Sequence, residues 1–524
     1  MPPVLRYPGI YIEELSSDVH TITGVATSIA AFVGWAPQGS VSEAVLVQSW
    51  MDFAREFGGL DSRSYLGYAV SQFFGNGGQQ AYVVRVVSTD SATAGTTVGG
   101  LKLFARSPGQ WANNYQVTVN PSGSVFSLQV VDPSSNVIET FPNLTATSVI
   151  AAIDNDSQLV TFVDPTANPP AAPGSITAPG AAATGTLVGG KDGEVLSPKD
   201  GINGNGDFET ALNLSGALTE GALYGVHLLD QVDIFNLLCV PGETDEATIS
   251  ALEDYCTPKS AGGTNPRAFG SFYIVDCPQT ATFDNLKNGP VGAAMTGLSG
   301  KNNDHAAYYF PWIQAPDPLA DNRPKLVPPC GFVAGIYAAT DANRGVWKAP
   351  AGTDVSLGGV TDLQYVLTDL QNGTLNALGV NCLRQYKVIG DVVWGARTLQ
   401  GADQMASQWK YIPVRRMALF LEASLYNGTQ WVVFEPNDET LWKQIRLNVG
   451  AFMHGLFQQG AFHGTKPQQA YFVKCDADNN PQWSVDQGVV NILVGFAPLY
   501  RFWEIDRVLG HGKLFELFFH KRTA

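Results

Sequence analysis

Residues 409–446, WKYIPVRRMALFLEASLYNGTQWVVFEPNDETLWKQIR, read as helix, turn, strand, turn, helix. Pro413 suits the first turn of a helix, where its missing N–H costs nothing. Val414, Met417, Ala418, Leu421 and Leu425 follow at helical spacing and make one apolar stripe. Asn427-Gly428 predicts a left-handed stop. Trp431 to Phe434 reads as a strand that Pro436 ends. Asn437 or Asp438 caps a second helix. Its Leu441, Ile445, Val449, Phe452 and Leu456 share one face, with Glu439, Lys443 and Arg446 opposite. That outward face either meets a partner or stands in solvent with a Glu439–Lys443 pair. Nothing in the stretch has the spacing of a catalytic or metal site.

The whole chain is 45% hydrophobic over 524 residues, enough for several cores and roughly 2–4 domains. With 55 Gly and 31 Pro, turns and strands outweigh helices. Charged residues are 15%, against roughly 25% in an average globular protein, so much of the surface is neutral and suited to cover by neighbours. The net charge of −16 is uneven. From Trp409 onward there are 12 Lys/Arg and 10 Asp/Glu, whereas residues 1–408 hold 19 and 37. An acidic body argues against nucleic-acid binding, and the basic shift of the last quarter suggests a different partner there. The six cysteines form no C-x-x-C pair and sit in apolar contexts, which predicts buried free thiols and no zinc site. No apolar signal segment opens the chain and no window of about 18 apolar residues occurs, so neither secretion signal nor membrane span is expected.

Residues 1–25 read as an arm, with a short strand, Ile10-Tyr11-Ile12, that needs an edge to pair with. Residues 26–90 read as a βααβ unit: strand Ala30–Gly34, helices from Ser49 and Tyr65, strand Ala81–Val87. Residues 91–190 alternate in the period of strands, as in Gln116–Val119 and Phe126–Val130, and predict an inserted β-rich domain. From 191 to 404, the apolar runs Asp233–Val240 and Phe272–Asp276 flank a helix at Thr248–Tyr255, the βαβ signature of a doubly wound α/β domain. The chain ends in the strongly apolar Lys513–Arg522, a strand that must be buried in its own fold or in a neighbour.

Enzymatic readings find little. Ser28 and His463 sit in segments that faintly echo subtilisin, but in reversed order and without the remaining motifs. GINGNG at 201–206 is not a dinucleotide loop. The seven histidines are scattered. No catalytic, cofactor or metal residue is assigned.

Several long segments are similar to the contractile tail sheath family. YPGIYIEEL (7–15) and GVATSIAAFVGWAPQG (24–39) resemble its opening, and SPGQWANNYQVTV (107–119) the start of its inserted domain. VDIFNLLCVPG (232–242), AAYYFPWI (306–313), VPPCGFVAGIYAATDANRGVWKAPAG (327–352) and LGVNCLR (378–384) resemble its middle domain. VVWGARTL (392–399), WKYIPVRRM (409–417), GTQWVVFEPNDETLWKQIR (428–446) and QQAYFVKCD (468–476) resemble its C-terminal domain. The chain departs from that pattern in its ending, which runs longer than the family's short tail. The resemblance implies an α/β and α+β multidomain fold. Its expected parts are arms at 1–25 and 506–524, a sheath core from 26–90 and 405–505, the inserted domain at 91–190, and a subtilisin-like α/β domain at 191–404. It implies a helical homo-oligomer of stacked rings around an inner tube protein, with baseplate and terminal cap proteins as further partners. It implies no cofactor, no nucleic acid and no membrane insertion, and assembly in the bacterial cytoplasm. Inter-subunit arm contacts are expected at Ile10, Tyr11, Ile12, Leu514, Phe515, Leu517, Phe518 and Phe519, and tube contacts at Lys443 and Arg446. The contrasting reading is a serine hydrolase of permuted subtilisin-like type.

Overall fold

The apolar run Ala30–Gly34 (β1) is buried along its whole length because strands flank it on both sides. The computed structural model describes residues 20–165, 176–198, 207–214, 224–258, 263–264, 266–290, 303–499 and 515–522. They fall into two units, one of residues 26–420 and one that joins residues 1–25 to 421–524.

In the larger unit β1 is followed by Val45–Val47 (β2), helices Trp50–Phe57 (α1) and Leu66–Gly75 (α2), and strand Ala81–Arg85 (β3). The Ser49 hydroxyl caps α1 by accepting from the Asp52 amide at 3.1 Å, and Gly58 at φ +86° ends it. Phe53 and Phe57, one turn apart, are its buried face.

Between β3 and the rest of the main sheet lies a β-rich segment. It comprises Gly95–Val98 (β4), Leu101–Ala105 (β5), Gln116–Ser122 (β6), Val125–Asp132 (β7), Val137–Leu144 (β8), helix Val149–Asp156 (α3), Val160–Thr161 (β9) and Ala183–Thr186 (β10). These form two antiparallel sheets, β10-β6-β7-β8 and β4-β5-β9. The alternation read in the sequence is the core-facing set: Val117, Phe126, Leu128 and Val130 are buried in a cluster of the segment's own. Arg85 fastens its base. The buried guanidinium donates to the carbonyls of Ala36, Pro37, Gly39 and Pro108, and burial lowers its pKa to about 9.

The chain then supplies Asp207–Ala211 (α4), Leu237–Cys239 (β11), Glu246–Cys256 (α5), Phe272–Asp276 (β12), Phe283–Leu286 (α6) and Ala306–Phe310 (β13). After these come Ile313–Asp317 (β14), Arg323–Val327 (β15), Cys330–Arg344 (α7), Asp362–Leu363 (β16), Asp369–Ala377 (α8), Val380–Tyr386 (β17) and Gly390–Val393 (β18). The main sheet runs β18-β17-β13-β12-β11-β1-β3-β2. Its six inner strands are parallel, and antiparallel β18 and β2 close the two edges. Parallel strands covered on both faces explain the unbroken apolar runs. The strand expected at Asp233–Val240 is shorter than its run: only Leu237–Cys239 pairs.

Helix Ile412–Gly428 (α9) has residues 412–420 in the larger unit and the remainder in the smaller. Its predicted stripe, Val414, Met417, Ala418, Leu421 and Leu425, is buried. Two expectations for this block are corrected. The helix does end at Gly428, its last residue, but without the expected left-handed φ. Residues 430–434 are a 3₁₀ turn, Gln430–Phe434, not a strand. The backbone stays helical past the glycine, with the amide of Thr429 on the Leu425 carbonyl and that of Val432 on Thr429. An apolar β-branched run suggested extension, and local hydrogen bonding overrode it. Asp438 caps Glu439–Gln458 (α10) by accepting from the Leu441 amide at 3.0 Å. Leu441, Ile445, Val449 and Leu456 are buried as expected, but Met453 rather than Phe452 completes the buried face. The smaller unit ends in the sheet Tyr471–Lys474 (β19), Val489–Phe496 (β20) and Phe515–Arg522 (β21). All six cysteines are buried and free.

Candidate functional site

The residues expected to contact other chains fall in three places. Ile10, Tyr11, Ile12 and Leu514 lie outside the described residues. Phe515, Leu517, Phe518 and Phe519 belong to β21, which pairs antiparallel with β20 in register from Phe496↔Phe515 to Val489↔Arg522. Leu517 is buried. The terminal strand therefore has a place in its own fold, and the outer edges of β19 and β21 pair with no further strand among the described residues. Such an edge is a template for another strand.

Lys443 and Arg446 lie on α10. Arg446 does not stand free: it pairs with Glu439 at 2.7 Å and donates to the Cys475 carbonyl. Glu439 thus takes Arg446 and not the expected Lys443. Lys443 is exposed and has no ion-pair partner among the described residues, and Leu447 beside it is 61% exposed. The outward face of α10 therefore offers one uncommitted cation and an apolar side chain.

The basic shift of the last quarter has a partly internal explanation. Lys410 pairs with Asp403 at 2.8 Å. Arg416 grips Asp341 through both nitrogens, at 3.0 and 2.6 Å, donates to the Thr27 carbonyl, and lies 4.7 Å from the Tyr337 ring centroid. Arg415 reaches Nε2 of His305 at 2.5 Å. An arginine only donates, so Nε2 accepts and the His305 Nδ1–H donates to Asp304 at 2.9 Å. Burial opposes the charge on Asp304, but the His305 hydrogen bond and the Arg415 cation outweigh it and hold its pKa below the ordinary value. From residue 421 on, nine Lys/Arg face ten Asp/Glu, so the excess vanishes once these three residues are assigned to the larger unit. Sequence reading missed this pair of buried arginines; the signal was two adjacent cations on a helix whose neighbours are all apolar.

Buried acids at the carboxyl ends of parallel strands are where α/β folds place chemistry. Two occur here. Burial raises Asp276 at the end of β12 to about 7 and Glu243 in the loop after β11 to about 8. Both engage backbone: Asp276 accepts from the amides of Gly242 and Cys330 at 2.9 and 2.8 Å, and Glu243 from that of Asp245 at 2.7 Å. They act as internal caps, Asp276 for the start of α7. Ser28 and His463 fall in different units. Among the described residues no group of three or more His, Cys, Asp or Glu is placed to hold a metal ion. No described helix is long and apolar enough to cross a membrane.

Comparison with known proteins adds the following. Residues 227–399 match the family of the phage tail sheath protein central domain, and residues 404–505 that of the phage tail sheath C-terminal domain, together more than half of the chain. A tail sheath protein of Vibrio phage KVP40 is 28% identical over 168 residues, 32% of this chain and 24% of that protein. A Pseudomonas aeruginosa protein described as a prophage major tail sheath protein is 30% identical over 272 residues, 50% of this chain and 62% of the other. The chain thus spans less than two thirds of each of these relatives. The helical sheath of the anti-feeding prophage in its contracted state shares the fold, with a TM-score of 0.56 and 23% identity over 95% of this chain and 97% of that one.

Proposed function

The chain belongs to the phage tail sheath family, and on that premise we infer that it is the structural subunit of a contractile sheath. Copies polymerise helically around an inner tube protein, and contraction drives the tube through a target envelope. Tail sheath is a structural class and not an enzyme class, and the subunit works without catalysis or cofactor. The observation that carries this reading is the family match over residues 227–399 and 404–505, supported by the likeness over almost the whole chain to a solved helical sheath.

Open sheet edges suit that role. The segments read in the sequence as end strands, Ile10–Ile12 and Leu514–Phe519, link copies by strand addition at such edges. A head-to-tail contact that does not close generates a helix and not a ring. The arms tether subunits while the bodies re-pack between two arrangements, and the extended assembly stores the energy. Residues 26–90 share one sheet with 191–404 and so belong with that α/β domain; residues 91–190 are the inserted domain and 405–505 the C-terminal part of the sheath core. The Lys443 and Arg446 face of α10 meets the inner tube, while baseplate and cap proteins meet the sheath ends. Assembly takes place in the bacterial cytoplasm.

Electron microscopy of the purified full-length chain tests the reading. Hollow tubes are expected. Monodisperse monomers that turn over a peptide substrate would replace it with the hydrolase reading.

A further inference from the structure

Residues 20–25 run along the end of α9 in the opposite direction, and three contacts hold them there. The His20 ring stacks on Trp431 of the 3₁₀ turn, with centroids 4.1 Å apart and planes 12° from parallel. Ile22 is buried, while Thr21, Thr23 and Gly24 around it are exposed. The Val25 amide donates to the Ser424 hydroxyl at 3.1 Å. The partners Ser424, Gly428 and Trp431 are spaced by four and three residues and so line one face of the helical run.

Gly428 is the informative member. It keeps ordinary helical backbone, so its conformation does not call for glycine, and glycine inside a helix is disfavoured against alanine. The requirement is room. A Cβ at 428 would lie 2.5 Å from Ile22 Cγ2 and 2.8 Å from Cγ1. Those are contacts that packed atoms do not tolerate. The glycine makes a notch, and Ile22 is the plug that fills it.

We propose that Ser424, Gly428 and Trp431 form a seat for residues 20–25, and that this seat fixes where the N-terminal arm leaves the subunit. The inference rests on the sheath reading and adds a positioning device to it: linkage between copies depends on the seat as well as on the arm's own strand. Releasing residues 20–25 lengthens the free tether by about 20 Å at 3.3–3.6 Å per residue. A longer slack tether presents the arm to its neighbour at a lower effective concentration.

The test uses the full-length chain with Gly428→Ala, which favours the helix but fills the notch. Two quantities are read: exchange of the Val25 amide in the unassembled subunit, and the yield of sedimentable tubes. Gly428→Ala speeds Val25 exchange about tenfold as the local hydrogen bond opens, and tube yield falls severalfold at unchanged subunit circular dichroism. Ile22→Ala added to Gly428→Ala removes both methyl-bearing branches from the notch and restores slow exchange and yield. Trp431→Ala reproduces the loss without altering the glycine, and serves if Gly428→Ala does not fold. Unchanged Val25 exchange, or faster exchange with full tube yield, overturns the proposal. Wild-type protein that makes no tubes counts against the sheath reading itself, whereas wild-type tubes with unaffected variants count against the seat alone.

Discussion

The two units of this chain solve the same problem in opposite ways. The larger unit keeps most of its main sheet inside: six parallel strands are inner strands, and antiparallel β18 and β2 are its two edges. Even its charges turn inward, with Arg416 and Asp341 each only 3% exposed in their side chains. The smaller unit leaves work undone. In its three-stranded sheet only β20 is an inner strand, and Phe434, Trp483 and Leu447 are 84, 63 and 61% exposed, although the larger unit also exposes Val388 at 96% and Leu370 at 83%. Exposed apolar residues and open edges are liabilities for a solitary protein and resources for one that assembles. The contrast is one of proportion: edge strands are two of eight in the main sheet and two of three in the sheet of the smaller unit.

The contrast is broken most severely by removing an end. Deleting residues 513–524 should abolish tube formation while the unfolding free energy of the larger unit stays within about 0.5 kcal/mol of wild type. Tubes of full length from this variant would contradict the assignment of β21 to assembly.

The next largest effect belongs to the larger unit. Arg416→Ala leaves Asp341 charged, buried and without its bidentate partner, which costs about 3–5 kcal/mol in denaturant unfolding. A loss below about 1 kcal/mol would show that the pair is not the anchor of α9 in that unit.

A third effect depends on pH. The pKa of Glu243 is raised to about 8 by burial, above the 4.5 of an unperturbed glutamate. The folded state therefore holds a proton that the unfolded state gives up earlier. The stability gained is full below pH 4.5, falls as pH rises, and is gone above about 8, at no more than about 1.4 kcal/mol per pH unit. Asp276, raised to about 7, acts in the same direction. Glu243→Gln should therefore gain on wild type between pH 6 and 8.5 in parallel denaturation series. A gap between the two proteins that does not change with pH would contradict the buried, protonated state.

The smallest effect on the subunit comes from reversing Lys443 and Arg446 together. The Glu439–Arg446 pair is partly exposed and worth about 0–1 kcal/mol. With the Arg446 hydrogen bond to the Cys475 carbonyl also lost, stability should fall by about 1–2 kcal/mol, while docking of the inner tube weakens. Undiminished docking would remove α10 from the tube interface.

Much of this was legible in the sequence. The strands at Ala30–Gly34 and Phe272–Asp276 announced themselves because parallel strands buried on both faces read as unbroken apolar runs. The caps at Ser49 and Asp438 were legible because a hydroxyl or carboxylate before an amphipathic run has one good use. Residues 428–434 were read only in part because both signals were local: the helix ends at Gly428 but without a left-handed φ, and Trp-Val-Val-Phe suggests a strand where a 3₁₀ turn forms. Ile22, four hundred residues away in sequence, is what makes Gly428 necessary. A separation of 75 residues likewise hid Asp341 as the partner of Arg416, and led the basic count from Trp409 to suggest an external partner.

The most direct test of the account is a reconstruction of the assembled particle, read at the outer edges of the β19-β20-β21 sheet. The account predicts that a strand from another copy completes this sheet, either added at an open edge or taking the place of β21. A sheet of the same three strands from one chain, with both edges in solvent while the particle remains intact, would contradict it.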